Sequence, residues 1–123
     1  MKNVPVAIVE DDPAVRKAYS DLFASYDCET VLFESAEMFL EYIASADIVC
    51  VILDQRLPGM SGIELQTRIN AVRTGIKTIF ITSQDDEMTK RRAIEGGASA
   101  FISKAGDVDE IVRSVFHLAG RSV

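Results

Sequence analysis

The chain has 123 residues, 48% hydrophobic and 26% charged, which is enough for one domain with its own core over 1-123. No apolar run approaches the ~18 residues that a membrane span needs, and Met1-Lys2-Asn3-Val4-Pro5 lacks the layout of a signal peptide, so no membrane partner and a cytoplasmic location are expected. A net charge of −6 with no basic run argues against nucleic-acid binding by this domain alone.

Val4 to Val9 reads as strand 1, with Pro5 tolerable at a strand's start. It runs into Glu10-Asp11-Asp12-Pro13, where Asp12 is a good N-cap and Pro13 a good first helical residue. Helix 1 follows, with Val15, Ala18, Tyr19, Leu22, Phe23 and Tyr26 on one face. Cys28 to Phe33 alternates weakly and reads as an edge strand, strand 2. Ser35 caps helix 2, whose apolar face is Ala36, Phe39, Leu40 and Ile43. Strand 3, about Ile48 to Leu53, is an unbroken apolar run of the kind buried on both faces of a parallel sheet. Asp54 follows, and Pro58, Gly59 and Gly62 show that the strand has ended.

Ser61-Gly62-Ile63-Glu64 is a capping box opening helix 3, with Leu65, Ile69 and Val72 facing inward. Lys77 to Thr82 is strand 4. Helix 4, about Asp86 to Glu95, has a thin apolar face of Met88, Ala93 and Ile94 and a charged face of Lys90-Arg91-Arg92; Gly96-Gly97 ends it. Ala98 to Ser103 is strand 5. Helix 5 begins near Asp107, with Val108, Ile111, Val112, Val115, Phe116 and Ala119 on one stripe and His117, the only histidine, beside it. Cys28 and Cys50 lie in apolar segments and match no metal spacing, so they read as small buried residues.

Strictly alternating βα units imply an α/β fold, a doubly wound parallel sheet of five strands with helices on both faces. Five units suit a flavodoxin-like (βα)5 sheet of order 2-1-3-4-5, whose switch point lies between strands 1 and 3. Ligands bind at the carboxyl ends of such strands. There strand 1 offers Glu10, Asp11 and Asp12, strand 3 offers Asp54, strand 4 offers Thr82 and Ser83, and strand 5 offers Lys104.

Two carboxylates ~4 Å apart repel by ~4 kcal/mol at an effective dielectric of 20, so such a cluster holds protons or a cation. Oxygen-only ligands favour a hard ion, and Mg²⁺ is usually held by one or two carboxylates with phosphate oxygens and waters. Asp12 reads instead as a helix cap. Lys104 and Thr82 complete a phosphate site, the one as a point charge and the other as a hydroxyl donor. The plainer alternatives are a Lys104–Asp54 salt bridge and an ordinary β-branched strand residue. A carboxylate is also a competent nucleophile for phosphoryl transfer.

The residues Glu10-Asp11 with Arg16 downstream, Asp54 in LDQRLPGMSGIEL, Thr82-Ser83, and Phe101 three residues before Lys104 resemble the receiver domain of two-component response regulators, across essentially the whole chain. The loop looks most like receivers attached to LuxR-type outputs. The resemblance implies that Asp54 accepts a phosphoryl group from a sensor histidine kinase or phosphotransfer protein. It implies Asp11, Asp54 and the main-chain carbonyl of Arg56 as Mg²⁺ ligands, with Glu10 on the ion or its water. Thr82 and Lys104 bind the phosphoryl group, and Phe101 is the aromatic that accompanies the switch, although core packing alone would also explain it. Slow self-dephosphorylation, a switching surface on helix 4, strand 5 and helix 5, and a phosphorylation-dependent homodimer belong to the same expectation.

A phosphoryl group on Asp54 is expected to reach the Thr82 hydroxyl only if the end of strand 4 moves. Arg56 and Gln84 take positions that flank the phosphate and tune dephosphorylation in the family. Two positions depart from its pattern: Glu10, where aspartate is also common, and Ala105, where proline is usual; a trans Lys104–Ala105 bond is expected. A non-phosphorylated protein-interaction module on the same fold is the alternative, and it would lose the catalytic set. An aspartyl phosphohydrolase of the haloacid dehalogenase type would need a DxD pair, whereas Asp54 is followed by Gln55-Arg56. Flavin binding is disfavoured because Glu10-Asp11-Asp12-Pro13 would repel a phosphate.

Overall fold

A computed structural model describes residues 5–45, 47–104 and 108–118, the side chains of Val108 and Glu110 excepted. The strands are β1 (Val6–Val9), β2 (Thr30–Phe33), β3 (Cys50–Leu53), β4 (Lys77–Thr82) and β5 (Ala100–Ser103). They alternate with α1 (Pro13–Ala24), α2 (Ala36–Ile43), α3 (Gly62–Val72), α4 (Glu87–Glu95) and α5 (Val108–Leu118). The sheet is parallel in the expected order, β2-β1-β3-β4-β5. Ala105 and its bond to Lys104, Asp107 and Ala119 lie outside the described residues.

Side chains alternate across a strand, so each interior strand feeds two apolar layers. Ala7, Val9, Val51, Leu53 and Phe80 pack with Phe39, Ile43, Leu65, Ile69 and Ala93 of α2, α3 and α4. Val6, Ile8, Cys50, Ile52, Ile79 and Ile81 pack on the other side with Phe23 of α1 and Ile111, Val112, Val115 and Phe116 of α5. The core expected from composition is therefore two layers with the sheet between them. Cys28 and Cys50 are buried in the second layer and form no disulfide, and His117 is exposed.

The helix starts follow their caps. Asp12 Oδ1 accepts from the amides of Ala14 and Val15. Ser35 Oγ accepts from Met38 N, and Ser61 Oγ from Glu64 N. Asp86 caps α4 through Thr89 N.

The helix faces depart from the simple stripes. Ala18 is exposed and Tyr26 falls in the turn after α1. On α3 the buried positions are Gly62, Leu65, Gln66 and Ile69, while Val72 is 51% exposed. On α4, Met88 and Ile94 are exposed and the buried residues are Thr89 and Ala93. β2, β3 and β5 each begin two residues later than the expected strands.

Candidate functional site

The register explains the convergence at the carboxyl edge. Val9 pairs with Leu53, so the next residues, Glu10 and Asp54, leave two adjacent strands at one level. Thr82 pairs with Ser103, which brings Lys104 alongside the end of β4. The Lys104 amide donates to the Thr82 carbonyl at 3.0 Å.

The Asp54 carboxylate is the hub and is only 7% exposed. Its Oδ1 accepts from Thr82 Oγ1 at 2.6 Å and from the Arg56 amide at 3.1 Å. Its Oδ2 accepts from Lys104 Nζ at 2.6 Å. The same ammonium lies 3.4 Å from Glu10 Oε1, so one cation bridges the carboxylates of β1 and β3. The Lys104–Asp54 salt bridge is thus present, and it lies inside the cluster rather than apart from it. The Thr82 hydroxyl already touches the carboxylate, so no movement of the strand end is needed for that contact.

Burial is the first influence on Glu10 and pushes its carboxyl above the ordinary glutamate value, outweighing the pull of the Asp12 amide and the Lys104 charge. For Lys104 burial pulls downward, but the hydrogen bond and charge of Asp54, then Glu10, overcome it and leave the ammonium raised. Asp11 is exposed at the rim of the site. Arg56 contributes its N–H to Asp54, while its guanidinium donates from Nε to Gln84 Oε1 at 3.2 Å. The Phe101 ring stacks on Phe80 with centroids 5.8 Å apart, half-buried at the edge of the first apolar layer.

Among the described residues, no three His, Cys, Asp or Glu side chains are gathered into a ready-made metal cage. Mg²⁺ does not require one, since it keeps several waters and takes one or two carboxylates. Glu10 and Asp54 supply oxygen donors only and already converge on one cation, the Lys104 ammonium. That donor chemistry fits Mg²⁺.

Three supporting residues were not legible as such. Arg16 reaches back from α1 to the Glu10 and Asp11 carbonyls. Gln55 caps α3 a second time by accepting from Ile63 N through Oε1 at 2.9 Å, where the capping box pointed to Glu64. At Gly62 a Cβ would overlap the Asp54 carbonyl oxygen and lie 2.9 Å from Leu53 Cδ1. Gly62 is therefore a condition of the close approach of α3 to the end of β3. Only its place directly after a helix cap hinted at this.

A family model described as the response regulator receiver domain matches residues 6–116. Nodulation protein W of Bradyrhizobium diazoefficiens is 38% identical over 110 residues, which is 89% of this chain and 48% of that protein. The transcriptional regulatory protein FixJ of Azorhizobium caulinodans is 32% identical over 121 residues, 98% of this chain and 57% of that protein. The chain spans about half the length of these curated relatives. Among solved structures, the crystal structure of FixJ-N has a TM-score of 0.89 at 28% identity, covering 100% of this chain and 98% of that one. Response regulator StyR has a TM-score of 0.85 at 35% identity, covering 95% of this chain and 60% of that one.

Proposed function

Because this chain belongs to the family of response regulator receiver domains, we propose that it accepts a phosphoryl group from a phosphohistidine onto Asp54. Residues 1-123 are read as that one receiver unit. The observation that carries the reading is the buried Asp54 carboxylate, held on one oxygen by Thr82 and on the other by Lys104.

An Asp54 carboxylate oxygen attacks the phosphorus of the donor, the P–N bond breaks, and the imidazole leaves with the electron pair. The Lys104 ammonium passes from the carboxylate to a phosphoryl oxygen and neutralises its charge. The Thr82 hydroxyl donates to a second phosphoryl oxygen. Glu10, Asp11, Asp54 and the main-chain carbonyl of Arg56 would hold Mg²⁺, which when bound supplies further charge neutralisation on the transferring group. Water attacking the same phosphorus later releases inorganic phosphate and restores the carboxylate, and Arg56 and Gln84 stand on its approach.

Thr82 and Phe101 carry the phosphorylated state to the face made by α4, β5 and α5. The partners are a sensor histidine kinase or phosphotransfer protein and, once phosphorylated, a second copy of the chain. The name of one relative, a transcriptional regulatory protein, supports a role in transcription regulation; the LuxR-type output and the cytoplasmic location rest on the sequence reading alone.

Incubating the chain with acetyl phosphate and Mg²⁺, or with a phosphorylated histidine kinase, should add one phosphoryl group by intact mass. Asp54→Asn should add none, because an amide is no nucleophile. Equal labelling of both proteins overturns the assignment of Asp54. A wild type that no phosphodonor labels points to the interaction module instead.

A further inference from the structure

Arg16 lies in the first turns of α1, and its guanidinium turns back beneath the acidic loop. Nη1 donates to the Glu10 carbonyl at 2.8 Å and to the Asp11 carbonyl at 3.2 Å. The Arg16 amide donates to the Asp12 carbonyl at 2.9 Å. One residue therefore takes three successive carbonyls. The remaining contacts tighten the same loop: Glu10 N donates to the Phe33 carbonyl at 3.0 Å, and Asp12 N donates to Glu10 Oε2 at 3.2 Å. Two donor bonds from one nitrogen to consecutive carbonyls fix the orientation of both peptide planes. The Glu10 and Asp11 carboxylates extend from that backbone.

We propose that Arg16 is a positioning residue for the Mg²⁺ site, acting through the peptide planes of Glu10 and Asp11 rather than by touching the ion or the phosphoryl group. The proposal rests on those carboxylates holding Mg²⁺, as inferred above. It has a sign that a plain electrostatic role does not share. A positive charge beside the site opposes a second cation, so a guanidinium acting only as a charge would weaken Mg²⁺ binding, and its removal would tighten it. A guanidinium that orders the ligand backbone does the reverse. Loss of groups that orient metal ligands lowers affinity by roughly 10–100-fold.

The test is a Mg²⁺ titration of the unphosphorylated chain, followed by amide shifts of Glu10, Asp11 and Asp54, for wild type, Arg16→Gln and Arg16→Lys. Arg16→Gln should bind about tenfold more weakly. Arg16→Lys, which retains a donor and the charge, should fall between it and wild type. The amides of Asp11 and Asp12 should exchange faster with solvent in both variants, at melting temperatures near that of wild type without Mg²⁺. If Arg16→Gln does not fold, Arg16→Lys carries the comparison alone. A variant that binds Mg²⁺ as tightly as wild type, or more tightly, overturns the positioning role while leaving the metal site standing. A wild type with no saturable response removes the metal reading, and this inference with it.

Discussion

The Thr82 hydroxyl donates to Asp54 at 2.6 Å before any phosphoryl group arrives, and it accepts from the Gln84 amide at 3.1 Å. On the proposed function, phosphorylation of Asp54 would therefore exchange one charged acceptor for another. It would not create a bond where none existed. Hydrogen bonds to charged groups contribute about 1.5–3 kcal/mol, so the exchange can shift the balance by no more than the width of that range, about 1.5 kcal/mol. That corresponds to about tenfold in a population. Thr82→Ala should still be phosphorylated at Asp54, and its phosphorylation-induced NMR shifts on α4, β5 and α5 should shrink without vanishing. Undiminished shifts would remove Thr82 from the coupling, and complete loss would show that it contributes more than an exchange. The sequence placed Thr82 at this edge because the register of β4 follows from its apolar run. It could not show that the hydroxyl is already engaged, since that depends on where Asp54, 28 residues away in the chain, directs its carboxylate. Arg16 was marked by the family resemblance, but its role escaped for the same reason, because an arginine on a helix looks like a solvated charge until its carbonyl partners are seen.

At the scale of elements, what was legible is what local rules control. The capping residues Asp12, Ser35 and Ser61 act at the helix starts expected of them, and Asp86, read only as the approximate start of helix 4, caps α4. The helix faces are set by neighbours and were read less well. The buried stripe of α3 includes Gln66, 1% exposed, because α4 packs there. Gln66 Nε2 donates to the Ala93 carbonyl at 2.9 Å, and Asn70 Nδ2 donates to the Gly96 carbonyl at 3.0 Å. Two amides of α3 thus take carbonyls at the end of α4, that of Ala93, which also accepts from Ala98 N at 3.0 Å, and that of the C-cap Gly96. Gln66 Oε1 has no conventional donor among the described residues. It faces Gly96 so closely that a methyl group there would overlap it, an approach suited to a weak Cα–H···O contact.

Only the small Ala93 and Gly96 permit this seam, and it turns Met88 and Ile94 outward. Gly96 sits at an ordinary helical φ of −78°, so its need is for space and not for backbone freedom. Gly96→Ala should destabilise the fold by about 1–3 kcal/mol through overpacking. Gln66→Ala in the same chain should recover part of that loss. Chemical denaturation of the single and double variants measures both, and strictly additive losses would show that the two residues do not meet.

For the molecule as a whole, α4 links the site to the surface. Gln84 lies between the Arg56 guanidinium, at 3.2 Å, and Thr89 Oγ1 in the first turn of α4, at 3.5 Å. A change at Asp54 that draws Arg56 toward a phosphoryl oxygen therefore disturbs the start of α4. In that same turn Met88 is 71% exposed, and Ile94 farther along the helix is 47% exposed. Single exposed apolar residues are ordinary. These two stand on α4, which is tied through Gln84 to the proposed phosphorylation site and through Gln66 to α3, so on the proposed function they would be where a second copy senses the state of Asp54. Burying a methionine side chain contributes about 1.5–3 kcal/mol, and a two-fold pair uses the same patch twice. Met88→Asp removes both contributions and introduces two facing carboxylates. It should weaken the phosphorylation-dependent dimer by at least about a hundredfold, since each 1.4 kcal/mol is a factor of ten. Labelling of Asp54 should be unchanged. Val72→Asp, 51% exposed at the end of α3, is the matched control and should dimerise like wild type. Sedimentation velocity of the three phosphorylated proteins over a concentration series decides between the outcomes. If Met88→Asp and wild type share one dissociation constant, the α4 patch is not the dimer surface. If phosphorylated wild type stays monomeric at every concentration, the coupled element transmits its state to a different partner.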